Sequence, residues 1–298
     1  MNKKQIISVF LKEGVMVPPT LLETINEDNY EDILRELKEG KKEKPKIKTE
    51  NKKKRKEATV KDFLDYYGKK YEILKGVLLK KMDAVSINKG KKIFSKTSII
   101  GRVREKTKNG FVIEDITGGT EVVMDNKNIL PGDIVGLRGW FKEGGFFPDE
   151  IIWPDIPLTD KGKIPDILLT RKLSEELKEK TGKGFAVINL ESEENGNLNP
   201  RWIRLQHGGK ETLILVFKPE DVIGNQEFVN FLKRRELPHR EEAGIYTPYL
   251  IENIPNIIWL IENKENWSKN YKGIVVASTD HESFFEYSEI NGGKFGKI

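Results

Sequence analysis

The sequence predicts a multi-domain α+β chain in three parts: a small N-terminal helical unit, a closed antiparallel β-barrel and a C-terminal α/β region. Three observations predict it. Apolar residues recur at three- and four-residue steps over 3–40 and again over 58–82, the helical period. Between Ser98 and Leu158, short runs rich in Val, Ile and Phe are cut by Asn109-Gly110, Gly118-Gly119, Pro131-Gly132-Asp133 and Gly144-Gly145, residues that supply the positive φ of tight hairpins. Beyond Leu158, KGFAVINL, ETLILVF, PNIIWLI and KGIVVAS are continuous apolar runs, the mark of strands buried on both faces.

Taken in order, residues 1–40 form the helical unit. Ile6, Val9 and Phe10 share one face, and Gly14 ends it. Pro18-Pro19-Thr20 opens a second short helix with Leu21, Leu22 and Ile25. Asp28 and Glu31 have capping-box spacing ahead of Tyr30, Ile33, Leu34 and Leu37. Such a unit reads equally as a bare mini-domain or as a protein-docking module.

Residues 41–57 carry ten Lys or Arg against three Glu, a net of +7, whereas the whole chain is only +5. Everything outside this stretch is therefore net −2, and the basic pI describes a segment rather than a basic globular surface. The stretch is expected to be an extended, mobile tether, with phosphate contact as its other reading. A helix follows over 58–82, capped by Thr59, with Val60, Phe63, Leu64, Tyr67, Tyr71, Leu74 and Leu78 on one stripe. That stripe is expected to pack on the barrel.

Five strands are predicted over 98–106, 111–116, 120–124, 133–141 and 146–152, with the alternation broken at 125–131. Five short strands interrupted after the third fit an OB-type barrel, and closure removes exposed edges. Arg102, Arg104, Lys106 and Lys108 lie on the first strand and its turn, while Trp140, Phe141, Phe146, Phe147 and Trp153 crowd the last hairpin. Aromatics beside cations on such a barrel can stack single-stranded bases. The simpler expectation is that alternate rings fill the barrel and the rest meet a neighbouring domain.

From 159 to 298 the apolar runs alternate with two helical segments, LSEELKEK and NQEFVNFLKRREL. The chain has no cysteine, which excludes disulfides, thiolate metal sites and thiol catalysis and suits a reducing cytoplasm. No run approaches the ~18 apolar residues of a membrane span. The N-terminus leads into an amphipathic segment rather than a signal peptide, so a cytoplasmic location is expected. The three histidines, His207, His239 and His281, are far apart and in no metal-ligand spacing.

The order of parts resembles the small subunit of archaeal family D DNA polymerase. The residues that carry the resemblance are KYEILKGVLLKKMDAVSI, SIIGRVREKTKNGFVIEDITGG and GDIVGLRGWFKEGGFFPDEIIWPDIPL, then FLKRREL and PNIIWLIENKENWSKNYKGIVVAS. In that family the last domain resembles a calcineurin-type phosphodiesterase whose two metals need converging carboxylates and imidazoles. The resemblance places Leu190 and Ser192, Phe217 and Lys218, and Glu262 and Lys264 at the ligand positions, leaving Asp221 as the one acid that aligns. A shortened, degenerate domain with no metal, no cofactor and no catalytic residue is therefore expected. The resemblance implies a non-catalytic scaffold that forms a heterodimer with the large catalytic subunit and meets DNA through that complex. A sliding clamp or other replication proteins stand as further candidate partners, and no membrane is involved. Trp140, Phe147, Trp153 and Arg235 are the candidate partner contacts, with Trp259 in the core, and Arg102, Arg104, Lys106 and Lys108 the candidate DNA contacts. The alternative is a stand-alone single-stranded DNA-binding protein built on the barrel. An active exonuclease would need ligands this sequence lacks.

Overall fold

In the computed structural model the described residues are 3–14, 17, 25–27, 29–31, 33–34, 46–50, 59–124, 128–159, 164–181, 185–190, 199–207, 210–238 and 250–298. Helix α1 (Lys3–Lys12) buries Ile6 and Phe10 against Ile25, with Val17, Tyr30, Ile33 and Leu34 packed around them. The expected second helix and the Asp28 cap of a third lie outside the described residues.

The basic segment departs from expectation. Lys46–Glu50 forms a strand, β1, rather than an unpaired tether. It pairs antiparallel with β9 (Arg201–His207), from Lys46 opposite Gln206 to Glu50 opposite Trp202. Ile47 and Lys48 are both exposed, as suits an edge strand whose backbone completes a ladder. The remainder of 41–57 lies outside the described residues.

Helix α2 (Val60–Leu79) starts at a capping box. The Asp62 amide donates to Thr59 Oγ1 at 3.3 Å, and the Thr59 amide donates to Asp62 Oδ2 at 2.8 Å. Its C-terminal half packs as expected: Leu74, Leu78 and then Met82 are buried with Ile100, Ile134 and Leu250. The N-terminal half does not, since Val60 is 78% and Leu64 70% exposed. The helix overhangs the barrel by those turns.

The barrel is closed by five strands, β2 (Thr97–Thr107), β3 (Gly110–Asp115), β4 (Gly118–Val123), β5 (Ile134–Lys142) and β6 (Gly145–Ile152), in the order β2-β3-β4-β6-β5. Each lies within a few residues of the predicted range. The short helix α3 (Ile87–Gly90) places Ile87 among the interior residues Ile99, Val103, Phe111, Ile113, Val122, Val135, Leu137 and Phe146. Closure brings Gly145 against β4. Its φ is 142°, and a Cβ there would lie 2.5 Å from the Glu121 carbonyl, so only glycine fits.

The C-terminal region is richer in strands than the α/β expectation. One sheet has the order β1-β9-β10-β11-β13-β12, with β10 (Lys210–Phe217), β11 (Ile257–Ile261), β12 (Trp267–Tyr271) and β13 (Ile274–Thr279). The other has the order β15-β14-β7-β8, with β7 (Ile167–Thr170), β8 (Ala186–Asn189), β14 (Ser283–Ser288) and β15 (Gly292–Lys297). Between the sheets lies a core of Ile167, Leu169, Ile188, Ile203, Ile214, Trp259 and Phe285. Trp259 is fully buried, and its Nε1 donates to Thr279 Oγ1 at 2.9 Å. Helix α4 (Glu175–Thr181) covers the smaller sheet through Leu177, and helix α5 (Asn225–Arg234) covers the larger through Phe228 and Leu232. The layers run helix, sheet, sheet, helix. The strands missed in the sequence, β7, β9, β12, β14 and β15, are very short or mix polar residues and glycine into their runs.

Candidate interaction surfaces and the strand-end cluster

On the last hairpin, alternation sorts the rings. Phe141 and Phe146 face inward and meet edge-on at 4.8 Å. Trp140 and Phe147, directly opposite each other across β5 and β6, are left on the outer side. Lys96 Nζ sits 5.1 Å from the Trp140 ring centre and Lys142 Nζ 5.4 Å from that of Phe147. Lys96 also pairs with Asp149, and nearby Phe94 is fully exposed.

The basic residues of β2 are not brought to this platform. Trp140 lies beyond the Thr97–Gly139 end of the β2–β5 ladder, whereas Arg102 is at its other end, opposite Ile134. Arg102 donates to its cross-strand neighbour Glu114 at 2.5 Å, and Arg104 to Glu105 at 2.5 Å, so both guanidinium groups are engaged by carboxylates. Lys106 and Lys108 are exposed at the end of β2 and in the following turn.

Trp153 and Arg235 serve the chain's own junction between barrel and sheets. Lys81, just past α2, donates to three successive carbonyls, those of Trp153 at 3.0 Å, Pro154 at 2.7 Å and Asp155 at 3.2 Å. Arg235, the left-handed C-cap of α5 with φ 57°, donates from Nε to the Asp155 carbonyl at 3.2 Å. Burial holds both the Lys81 ammonium and the Arg235 guanidinium below their usual pKa values. The Asp155 carboxylate receives the Tyr271 hydroxyl at 3.1 Å and the Lys272 ammonium at 2.5 Å.

Beside this turn, Arg234 lies 5.4 Å from the Trp153 ring centre and donates to Asp133 Oδ1 at 2.8 Å and to the Asn128 carbonyl. Arg234 and Asp133 are 8% and 5% exposed, a buried ion pair between α5 and the barrel. Burial pushes the Asp133 carboxyl up, against the pull of Arg234. A second buried pair, Lys70 with Glu236, joins α2 to the chain just past α5. Asn128, Trp153, Asn230, Lys233 and Arg234 line a small cleft of about 50 Å³ at this seam. Neither buried pair has a signal in the sequence, because their members are about a hundred or more residues apart.

The positions that the resemblance assigns to metal ligands collect at the ends of strands, where α/β sheets hold ligands. Phe217 ends β10 inside the core, and Leu190 follows β8, half-buried. Lys264 is exposed, and so is the aligned acid Asp221. Ser192 and His239 lie outside the described residues. Lys218 and Glu262 do meet, as an ion pair.

Two residues that the sequence did not single out as site members join them. Arg171 NH2 stands 3.0 Å from Glu262 Oε1, and His281 Nε2 3.8 Å from Glu262 Oε2. Burial alone would raise the Glu262 carboxyl, but Lys218, Arg171 and His281 outweigh it and hold it below the ordinary glutamate value. The next residue, Asn263, is buried and ties this loop to Ile223 and Ser278 at 2.7–2.9 Å. This donor set does not fit a pair of divalent ions, since an ammonium and a guanidinium already occupy the one carboxylate. Among the described residues no three His, Asp or Glu side chains converge as a metal-binding group. No helix of the described residues is long and apolar enough to cross a membrane.

The fold and these sites define a β-barrel cemented to a four-layer sandwich whose strand ends are closed by ion pairs. No family model matches the chain. Over 183 residues, 56% of this chain, it is 25% identical to the DNA polymerase II small subunit of Archaeoglobus fulgidus. The matched stretch spans 35% of the length of that relative. This supports a relationship to the small subunit of family D DNA polymerase. Among solved structures, the hypothetical protein ygiW of E. coli overlaps 24% of this chain and 89% of its own at 17% identity. Its TM-score is 0.21.

Proposed function

We propose that the chain is a non-catalytic accessory subunit of an archaeal replicative DNA polymerase, a scaffold for the large catalytic subunit. The observation that carries the reading is the similarity over 183 residues to a polymerase small subunit. The closed five-stranded barrel supports an OB-type assignment, and the helix-sheet-sheet-helix layering supports a phosphodiesterase-like domain. A strand-end crevice filled by Lys218 and Glu262 is consistent with a domain kept for packing rather than for hydrolysis. The partner surface combines Trp140 and Phe147 on the hairpin with the seam at Trp153 and Arg235, since interface cores favour aromatics and arginine.

The test is co-expression with the cognate large subunit, reading assembly and primer extension. Because Trp153 and Arg235 also hold the seam, changing Trp140 and Phe147 together to Ala is the cleaner variant. Assembly should weaken by tenfold or more, about 1.4 kcal/mol, while the free chain keeps its melting temperature. If the two proteins never associate, the scaffold reading is wrong.

The second reading is a single-stranded DNA-binding protein, favoured by the outward Trp140–Phe147 pair with a lysine over each ring. It expects salt-dependent oligonucleotide binding by the free chain, lost in the same double variant.

A further inference from the structure

We infer that the strand-end crevice is an anion site filled by the chain's own Glu262, opposite in charge to the two-cation site of a calcineurin-type phosphodiesterase. The inference is independent of the polymerase reading, because it rests on the cluster alone.

Four separate turns meet there. Arg171 follows β7 of the smaller sheet. Lys218 follows β10, Glu262 follows β11 and His281 lies just past β13, all of the larger sheet. Arg171 NH2 lies 3.0 Å from one carboxylate oxygen, and Lys218 Nζ pairs with the other. The Glu262 side chain is only 14% exposed, so its attraction for these cations is screened less than that of a surface pair.

The histidine adds direction. Arg171 NH1 lies 2.6 Å from His281 Nδ1, and arginine has only protons to offer, so Nδ1 accepts. The remaining ring proton is then on Nε2, the nitrogen 3.8 Å from Glu262 Oε2. Arginine and lysine thus present positive charge, and the imidazole its N–H dipole, to one carboxylate. Glu262 itself has φ 59°, a left-handed backbone that a non-glycine residue keeps only when its surroundings hold it. A dinuclear metal site gathers acidic side chains from several strand ends around central cations. Here basic side chains from several strand ends gather around a central anion, and because Arg171 comes from the other sheet, the anion bridges the two sheets.

The test is thermal unfolding of the full chain, with and without inorganic phosphate or manganese at millimolar concentration. Glu262→Gln should lower the melting temperature by about 1–2 °C, since it leaves Arg171 and the exposed Lys218 without their carboxylate. Glu262→Ala opens the site, and phosphate should restore at least half of its loss while leaving the wild type unmoved. Should Glu262→Ala fail to fold, Glu262→Gln and Lys218→Gln carry the test, with phosphate again rescuing only the glutamate variant. An unchanged melting temperature in Glu262→Gln would overturn the inference. So would a loss in Glu262→Ala that phosphate does not restore, or stabilisation of the wild type by manganese that a chelator reverses.

Discussion

Asp280, at the strand end, draws its partners from within seventeen residues of itself. It accepts from the Glu282 amide at 3.0 Å, from Asn266 Nδ2 at 3.2 Å and from Lys297 at 3.1 Å. Burial would raise its carboxyl, but hydrogen bonds from Ser283, Lys297 and the Glu282 backbone prevail and bring it from 3.8 to about 2. A depressed folded-state pKa contributes stability that is present above the unfolded value and is lost as pH falls through the folded one. Asp280→Asn should therefore be less stable than the wild type at pH 6 and converge with it between about pH 4 and pH 2, as read by urea unfolding across that range. A constant difference down to pH 2 would refute the assignment. Separation in sequence decides what was legible at the neighbouring cluster. Lys218 and Glu262 were singled out, but nothing local to Arg171 or His281 announces that they meet, 110 residues apart.

At the scale of elements, legibility followed the strength of the local pattern. The barrel strands were readable because glycine turns fix their ends and β-branched runs fill them. The cap of α2 was readable because Thr59 and Asp62 satisfy each other across one turn. Strand β1 was not, because its lysines give it the composition of a solvated segment; its order comes from backbone pairing with β9. Hydrogen exchange under native conditions checks this. The amides of Lys46–Glu50 bonded to β9 should exchange at least tenfold more slowly than an unstructured chain, and Ile203→Pro, opposite Thr49, should abolish that protection. Random-coil exchange throughout 46–50 in the wild type would restore the simple tether. The overhang of α2 was also illegible, since periodicity says which side of a helix is apolar but not how far its support extends.

For the whole molecule, the seam decides whether barrel and sandwich behave as one body. Asp133 and Arg234 join them through a buried pair, and removing one partner of such a pair typically costs about 3–5 kcal/mol. Asp133→Asn should lower the melting temperature by roughly 5–8 °C, whereas Asp133→Leu combined with Arg234→Met should recover most of that loss. Calorimetry of the single variant reads the change, and a shift under about 2 °C would show the pair to be dispensable. Lys81 works in the same seam by a different route. One ammonium, just past a helix and more than seventy residues upstream, grips three consecutive carbonyls. A hinge needs backbone free to rotate, and here the connecting peptides are clamped where rotation would begin. Those three bonds oppose rotation at the connection, so barrel and sheets are expected to turn together, as the two ends of a spacer block do.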